Sequence, residues 1–191
     1  MPLLGPDDAL PHRPQRVLVA GSSGAGKTTV AAAVAGVLGV PRVEMDALFH
    51  GPAWTPRPSF LDDVSRVVAS PAWVTEWQYP AARQLLLERA DLLVWLDVPR
   101  VRAMRQVTAR TLRRRWRREV LWNGNVEPPL RTVFSDPEHL LRWTRATHAH
   151  TATRVAVVLE RVPDLAVVRL RDRRAVHRWL TGPLRRTVED A

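Results

Sequence analysis

The chemistry most plainly written in this chain lies in eight consecutive residues: Gly21, Ser22, Ser23, Gly24, Ala25, Gly26, Lys27 and Thr28. Their spacing is that of G-x-x-x-x-G-K-[ST], a loop that cradles phosphate groups. Gly21, Gly24 and Gly26 allow backbone conformations and close approaches that a Cβ would block. Successive loop N–H groups, with the free donors of a following helix N-terminus, then converge on one anion. Lys27 is placed to reach the β- and γ-phosphates of a nucleotide as a compact point charge, and the Thr28 hydroxyl to ligate Mg²⁺. Thr29, next in line, completes the set of cradle residues.

Composition sharpens the reading of Lys27. Of the 29 basic Lys and Arg residues, Lys27 is the single lysine; isoleucine is absent, and asparagine occurs only at Asn123 and Asn125. This bias is that of a GC-rich coding sequence in which arginine has replaced lysine wherever a generic positive charge suffices. A lysine retained among arginines marks a place where a planar guanidinium does not serve.

Three acidic residues are expected at the ends of strands, where ligands bind in open α/β sheets. Asp46 reads either as a substrate-binding carboxylate or base, or as the cap of a short helix. Glu76 either orients Mg²⁺ through water or binds an acceptor, or is simply an exposed strand-end carboxylate. Asp97, before Val98 and Pro99, reads as a residue that fixes the turn and supports the site. Trp54 and Trp77 lie next to the proposed substrate side.

Residues 100–118 hold nine arginines in a helical pattern. They read in three ways: as a lid whose arginines neutralise transferred charge, as a surface for a nucleic-acid backbone, or as a solvated helix face. His148 and His150 do not read as metal ligands, because positions i and i+2 of a helix point apart.

The elements that must position these groups alternate. Residues 16–20 form a β-branched apolar run before the loop, and residues 28–38 an Ala/Val-rich helix closed by Gly39. Strands are expected at 42–45, 72–76, 92–98 and 165–170, with helices at 59–69, 80–90, 100–118, from 135 onward, and 172–180. Ser59 reads as a helix N-cap, and Gly182 as the end of the last helix. Alternation of this kind implies right-handed crossovers and a parallel sheet covered on both faces. Residues 1–14 are expected to be a disordered lead-in, 15–182 one domain with a lid region at about 110–135, and 183–191 a flexible tail.

The whole-chain balance narrows the class further. A chain of 191 residues with 46% hydrophobic and 25% charged residues is of ordinary globular composition. No apolar run reaches the roughly 18 residues a membrane helix needs, and the absence of cysteine excludes disulfides and thiolate sites. The expected location is cytoplasmic, with no membrane partner. A net charge of +10 points to anionic partners without choosing among nucleotides, nucleic acids and anionic surfaces.

The ordered set of motifs resembles the nucleoside-monophosphate-kinase branch of the P-loop proteins, in particular the adenylate-kinase-like group often labelled topology modulation protein. The resemblance runs from about Arg16 to Leu180. It is carried by the phosphate loop, Asp46 to His50 with Trp54, Trp73 to Glu76 with Tyr79 and Arg83, Ala90 to Pro99, Arg110 to Arg113, Trp122 to Asn125 with Glu127, and the stretch ending at Arg171. It implies a P-loop NTPase fold, with a five-stranded parallel sheet, helices on both faces and a basic lid, and it implies ATP with Mg²⁺ as phosphoryl donor. By position Asp46, Trp54, Glu76, Tyr79 and Arg83 fall on the acceptor side, and Glu76 joins Thr28 near the metal. Arg110, Arg113 and Arg114 fall in or beside the lid, and Arg171 and Asp172 where such kinases hold adenine. Trp77 departs from the glycine usual after the third-strand carboxylate. The expectation is an ATP-dependent phosphotransferase acting on a small acceptor, foremost a nucleoside monophosphate. The alternatives are a kinase of a non-nucleotide metabolite, as gluconate and shikimate kinases are, and a nucleic-acid-associated ATP-binding regulator.

Overall fold

Alternating side-chain direction along each buried strand splits the apolar residues into two layers. Val17, Val19, Leu92, Val94, Leu96, Ala166, Val168 and Leu170 face one way, while Leu18, Ala20, Leu93, Trp95 and Val167 face the other. The computed structural model describes residues 3–116, 121–125 and 140–189, the side chains of residues 114, 115 and 140–149 excepted. Its strands are β1 (Leu3–Leu4), β2 (Arg16–Gly21), β3 (Arg42–Val43), β4 (Trp73–Glu76), β5 (Leu92–Leu96) and β6 (Ala166–Leu170). They form one sheet in the order β1-β6-β5-β2-β4-β3, with every pairing parallel.

The first layer is covered by α1 (Lys27–Leu38) and α7 (Arg173–Trp179), through Val30, Val34, Leu38, Ala175 and Trp179. The second is covered by α3 (Phe60–Ala69), α4 (Pro80–Leu87) and α6 (Leu140–Arg161), through Phe60, Val64, Val68, Ala82, Leu86, Val155 and Val158. A short α2 (Met45–Phe49) follows β3, α5 (Arg100–Trp116) follows β5, and α8 (Arg185–Glu189) closes the chain. β5 is buried along its whole length, as a central parallel strand must be when helices pack on both faces.

Several expectations change. The sheet has six strands rather than five, because Leu3–Leu4, within the segment expected to be disordered, pairs with Val167 and Val168 at the β6 edge. The second strand stops at Val43, and Asp46 stands in the first turn of α2 instead of at a strand end. Helical structure does not stop at Gly182: α7 runs through a π-helical turn at Leu180–Leu184 into α8, which lies in the expected tail. Ser59 caps no backbone N–H; its hydroxyl donates to Asp63 Oδ2 at 3.0 Å. The expected helix start at residue 135 and the lid residues 117–120 and 126–139 lie outside the described residues.

Candidate active site

β2 ends between β4 and β5, so its loop opens where chain direction across the sheet reverses. Val19 pairs with Glu76 and Gly21 with Leu96, which sets the Glu76 carboxylate beside the loop base. Gly24 (φ 78°) and Gly26 (φ 95°) take left-handed conformations. A Cβ on Gly24 would run into the Ala103 carbonyl oxygen of α5, whereas one on Gly26 would meet no atom within 4 Å. Gly24 thus seats the loop on α5, and Gly26 leaves an open cradle at the N-terminus of α1. That cradle has the shape and the donors that a phosphate needs.

Lys27 begins α1 and donates to the Ser22 carbonyl at 3.4 Å. Burial pushes its ammonium below the ordinary lysine value; the charges of Glu76 and Asp46 oppose that shift, and the charge of Arg110 adds to it. Glu76 is 5% exposed, so the reading of it as an exposed strand-end carboxylate is corrected. Burial raises its pKa, against Lys27 and a hydrogen bond from the Thr28 side chain, which lower it. A hydroxyl and a carboxylate meeting beside the phosphate cradle are hard oxygen donors of the kind Mg²⁺ takes. Thr28 and Glu76 are therefore the residues whose donor chemistry could hold such an ion. Thr29 is exposed on the first turn of α1.

Asp46 Oδ1 accepts from Gln78 Nε2 and from the Tyr79 hydroxyl, both at 2.6 Å. Its Oδ2 accepts from no described residue. Tyr79 stands at φ 60°, a costly conformation for a residue with a bulky side chain. Its hydroxyl also lies 3.1 Å from His50 Nε2, and burial, then the charge of Asp46, pushes its pKa far up. Phe49 stacks on Tyr79 at 4.2 Å, Phe60 meets both rings edge-on, and Trp54 approaches His50 at 5.0 Å.

Arg83 of α4 is half-buried, and its Nε has no hydrogen-bond partner among the described residues. Burial lowers its pKa first and the charge of Arg154 on α6 lowers it further. Trp77 is 9% exposed in the second core layer, with its indole N–H donating to the Arg83 carbonyl at 3.2 Å. Its bulk goes into the core, and its N–H secures the segment that carries Arg83.

The remaining candidates separate. Arg110 of α5 is half-buried with its charge felt at Lys27, while Arg113 is exposed; the side chain of Arg114 lies outside the described residues. Asp97 binds Arg169 Nε at 2.8 Å and lies 3.7 Å from Arg171 Nε, so it fixes the turn after β5. Arg169 in turn lies over the Trp95 ring at 4.6 Å. Asp172 caps α7 by accepting from the Ala175 N–H at 2.8 Å, and Arg171 is exposed beside it.

The sequence motifs include His50, Asn123 and Asn125 without giving them a role, and Gln78 stands in none; the structure ties Gln78 and His50 to Asp46 and Tyr79, and the pair of asparagines to the carbonyls of His50 and Gly51. The scarcity of asparagine was the signal available for that pair.

No family model matches the chain, and no curated protein matches it. Among solved structures it is similar to a gluconokinase from Sinorhizobium meliloti 1021, at 20% identity over 93% of this chain and 96% of that one, with a TM-score of 0.47. A shikimate kinase from Bacteroides thetaiotaomicron is 16% identical over 92% and 99%, with a TM-score of 0.49. A sugar kinase from Janibacter sp. HTCC2649 is 22% identical over 92% and 91%, with a TM-score of 0.43. These are distant likenesses that assign neither a family nor an acceptor.

Proposed function

We propose that this chain is an ATP-dependent phosphotransferase acting on a small anionic acceptor. The observation that carries the reading is the open cradle at Gly26 with Lys27 at the start of α1 and the buried Glu76 set beside the loop base by its register with Val19, the charge of Asp46 also reaching Lys27. The loop amides and Lys27 would bind the β- and γ-phosphates, and Thr28 and Glu76 would hold Mg²⁺, which when bound would supply positive charge to the transferred group. Asp46, turned by Gln78 and Tyr79 so that Oδ2 is open, orients the acceptor oxygen and takes its proton where that oxygen is a hydroxyl. A bond forms from that oxygen to the γ-phosphorus, the bond to the β,γ-bridging oxygen breaks, and ADP leaves. Arg110 neutralises charge that develops during transfer.

Arg83 and Arg154, with no carboxylate partner among the described residues, match an acceptor that brings its own negative charge. A nucleoside monophosphate and a hydroxylated acid both meet that description. The mutual packing of Phe49, Phe60 and Tyr79 favours the compact acid, because these rings spend their faces on one another.

The test is conversion of ATP to ADP with AMP, CMP, UMP, D-gluconate and shikimate as acceptors, the phosphorylated product being identified by mass. Acceptor-stimulated turnover by any of them supports the kinase. No stimulation, together with steeply salt-dependent binding to duplex DNA, would replace it with the nucleic-acid regulator.

A further inference from the structure

The only two asparagines of the chain stand two residues apart, and both bind one loop. Residues 121–125 form a tight turn closed by the Leu121 N–H on the Asn125 carbonyl at 2.7 Å. From this turn Asn125, 4% exposed, donates through Nδ2 to the Gly51 carbonyl at 2.9 Å and accepts at Oδ1 from the Trp54 N–H at 3.0 Å. Asn123 donates through Nδ2 to the His50 carbonyl. Trp122 Nε1 donates to Glu44 Oε2 at 2.6 Å.

These contacts bracket the segment that carries Asp46, from Glu44 before it to Trp54 after it. The amide at 125 is chemically specific. It offers donor and acceptor on one short plane, which neither a carboxylate nor an apolar side chain of that shape supplies. At 123 the requirement is double, because φ is 55° and a donor is needed; Asn is among the few non-Gly residues that tolerate this backbone.

We infer that Asn123 and Asn125 are positioning residues for the acceptor: acting through the backbone of residues 50–54, they hold His50, with Trp54 against it, at the Tyr79–Asp46 pair. This rests on the phosphotransferase reading, in which that segment is the acceptor side.

Asn125→Asp tests it, because ionised aspartate keeps the shape and the acceptor but sets a buried charge against the Gly51 and Trp122 carbonyls. At about pH 8 the acceptor KM, measured on whichever compound of the above panel the wild type turns over best, should rise about tenfold or more. The MgATP Kd should stay within about twofold. Lowering the pH to about 5.5 should move the variant's KM back toward wild type at the same pH, since a protonated carboxyl again donates to Gly51. Asn123→Gly, which keeps the positive φ and removes only the amide, should raise acceptor KM in the same direction. Hydrogen exchange across residues 45–57 should quicken in both variants while β2 and β5 keep their protection.

An Asn125→Asp KM unchanged at pH 8, or one raised together with the MgATP Kd at every pH, overturns the positioning role. A wild type that binds MgATP but phosphorylates nothing in the panel counts against the acceptor reading instead. The exchange comparison then decides the role of the asparagines, and unchanged exchange at 45–57 overturns it.

Discussion

The Tyr79 hydroxyl donates to Asp46 Oδ1 at 2.6 Å from a backbone held at φ 60°. A tyrosine is kept in that conformation by what its side chain does: it stacks on Phe49 and, with Gln78, ties one carboxylate oxygen so that the other is left open. Tyr79→Phe keeps the ring and removes the donor. Phosphoryl transfer should fall roughly tenfold in kcat/KM for the acceptor, with the MgATP Kd unchanged. Asp46→Asn should cost far more on the same measure, again without loss of ATP affinity. If steady-state kinetics and ATP titration instead show ATP binding falling and acceptor dependence intact, Asp46 is misassigned.

Lys27→Ala should reduce ATP turnover by about 10²-fold or more, since in the proposed mechanism it removes a charge aimed at the transferred phosphate. The circular-dichroism spectrum should not change. Lys27→Arg should be severely impaired as well, because the wider planar guanidinium does not fit where the ammonium meets the Ser22 carbonyl. Near-wild-type turnover by the arginine variant would remove the argument from the lone lysine.

Arg110 and Arg113 make a paired comparison on α5. Arg110 is half-buried and its charge reaches Lys27, whereas Arg113 is exposed. Arg110→Ala should lower kcat by about 10²–10³-fold, and by more than it changes ATP affinity. Arg113→Ala should have the smaller effect on kcat. If Arg113→Ala leaves turnover alone and lowers the salt slope of duplex-DNA binding by about one, α5 tracks a nucleic-acid backbone.

Glu76 gives the pH dependence. Burial raises its folded-state pKa, so the ionised carboxylate costs stability. The cost is absent well below the unfolded value of about 4.3, grows as pH rises through it, and is complete above the folded value. Glu76→Gln removes it. The variant's melting temperature relative to wild type, measured without nucleotide or metal, should therefore improve from about pH 4 to about pH 7. A gap that stays constant or moves the other way would show that Lys27 compensates the carboxylate fully.

Gly24→Ala should destabilise the protein by roughly 1–3 kcal/mol, as overpacking against a fixed backbone does. Its Cβ would meet the Ala103 carbonyl oxygen, and its φ of 78° would be strained. Gly26→Ala meets no atom, so thermal melts should show a smaller loss, confined to the backbone term.

The sequence alone determined what depends on local spacing. The phosphate loop is contiguous, so its glycines, Lys27 and Thr28 fix their own geometry within one turn and the start of α1. The buried run of β5 and the strand–helix alternation likewise follow from residue periodicity, and they imply the parallel sheet. Three things depended on tertiary structure. Leu3–Leu4 has no apolar period to announce a strand and becomes one because the β6 edge offers it unpaired backbone groups. Glu76 looks like any strand-end carboxylate until the register with Val19 buries it beside Lys27. Asn125 lies 71 residues from the Trp54 N–H it accepts from. Only the folded chain brings those two groups together, so their pairing leaves no trace in local pattern beyond the scarcity of asparagine itself.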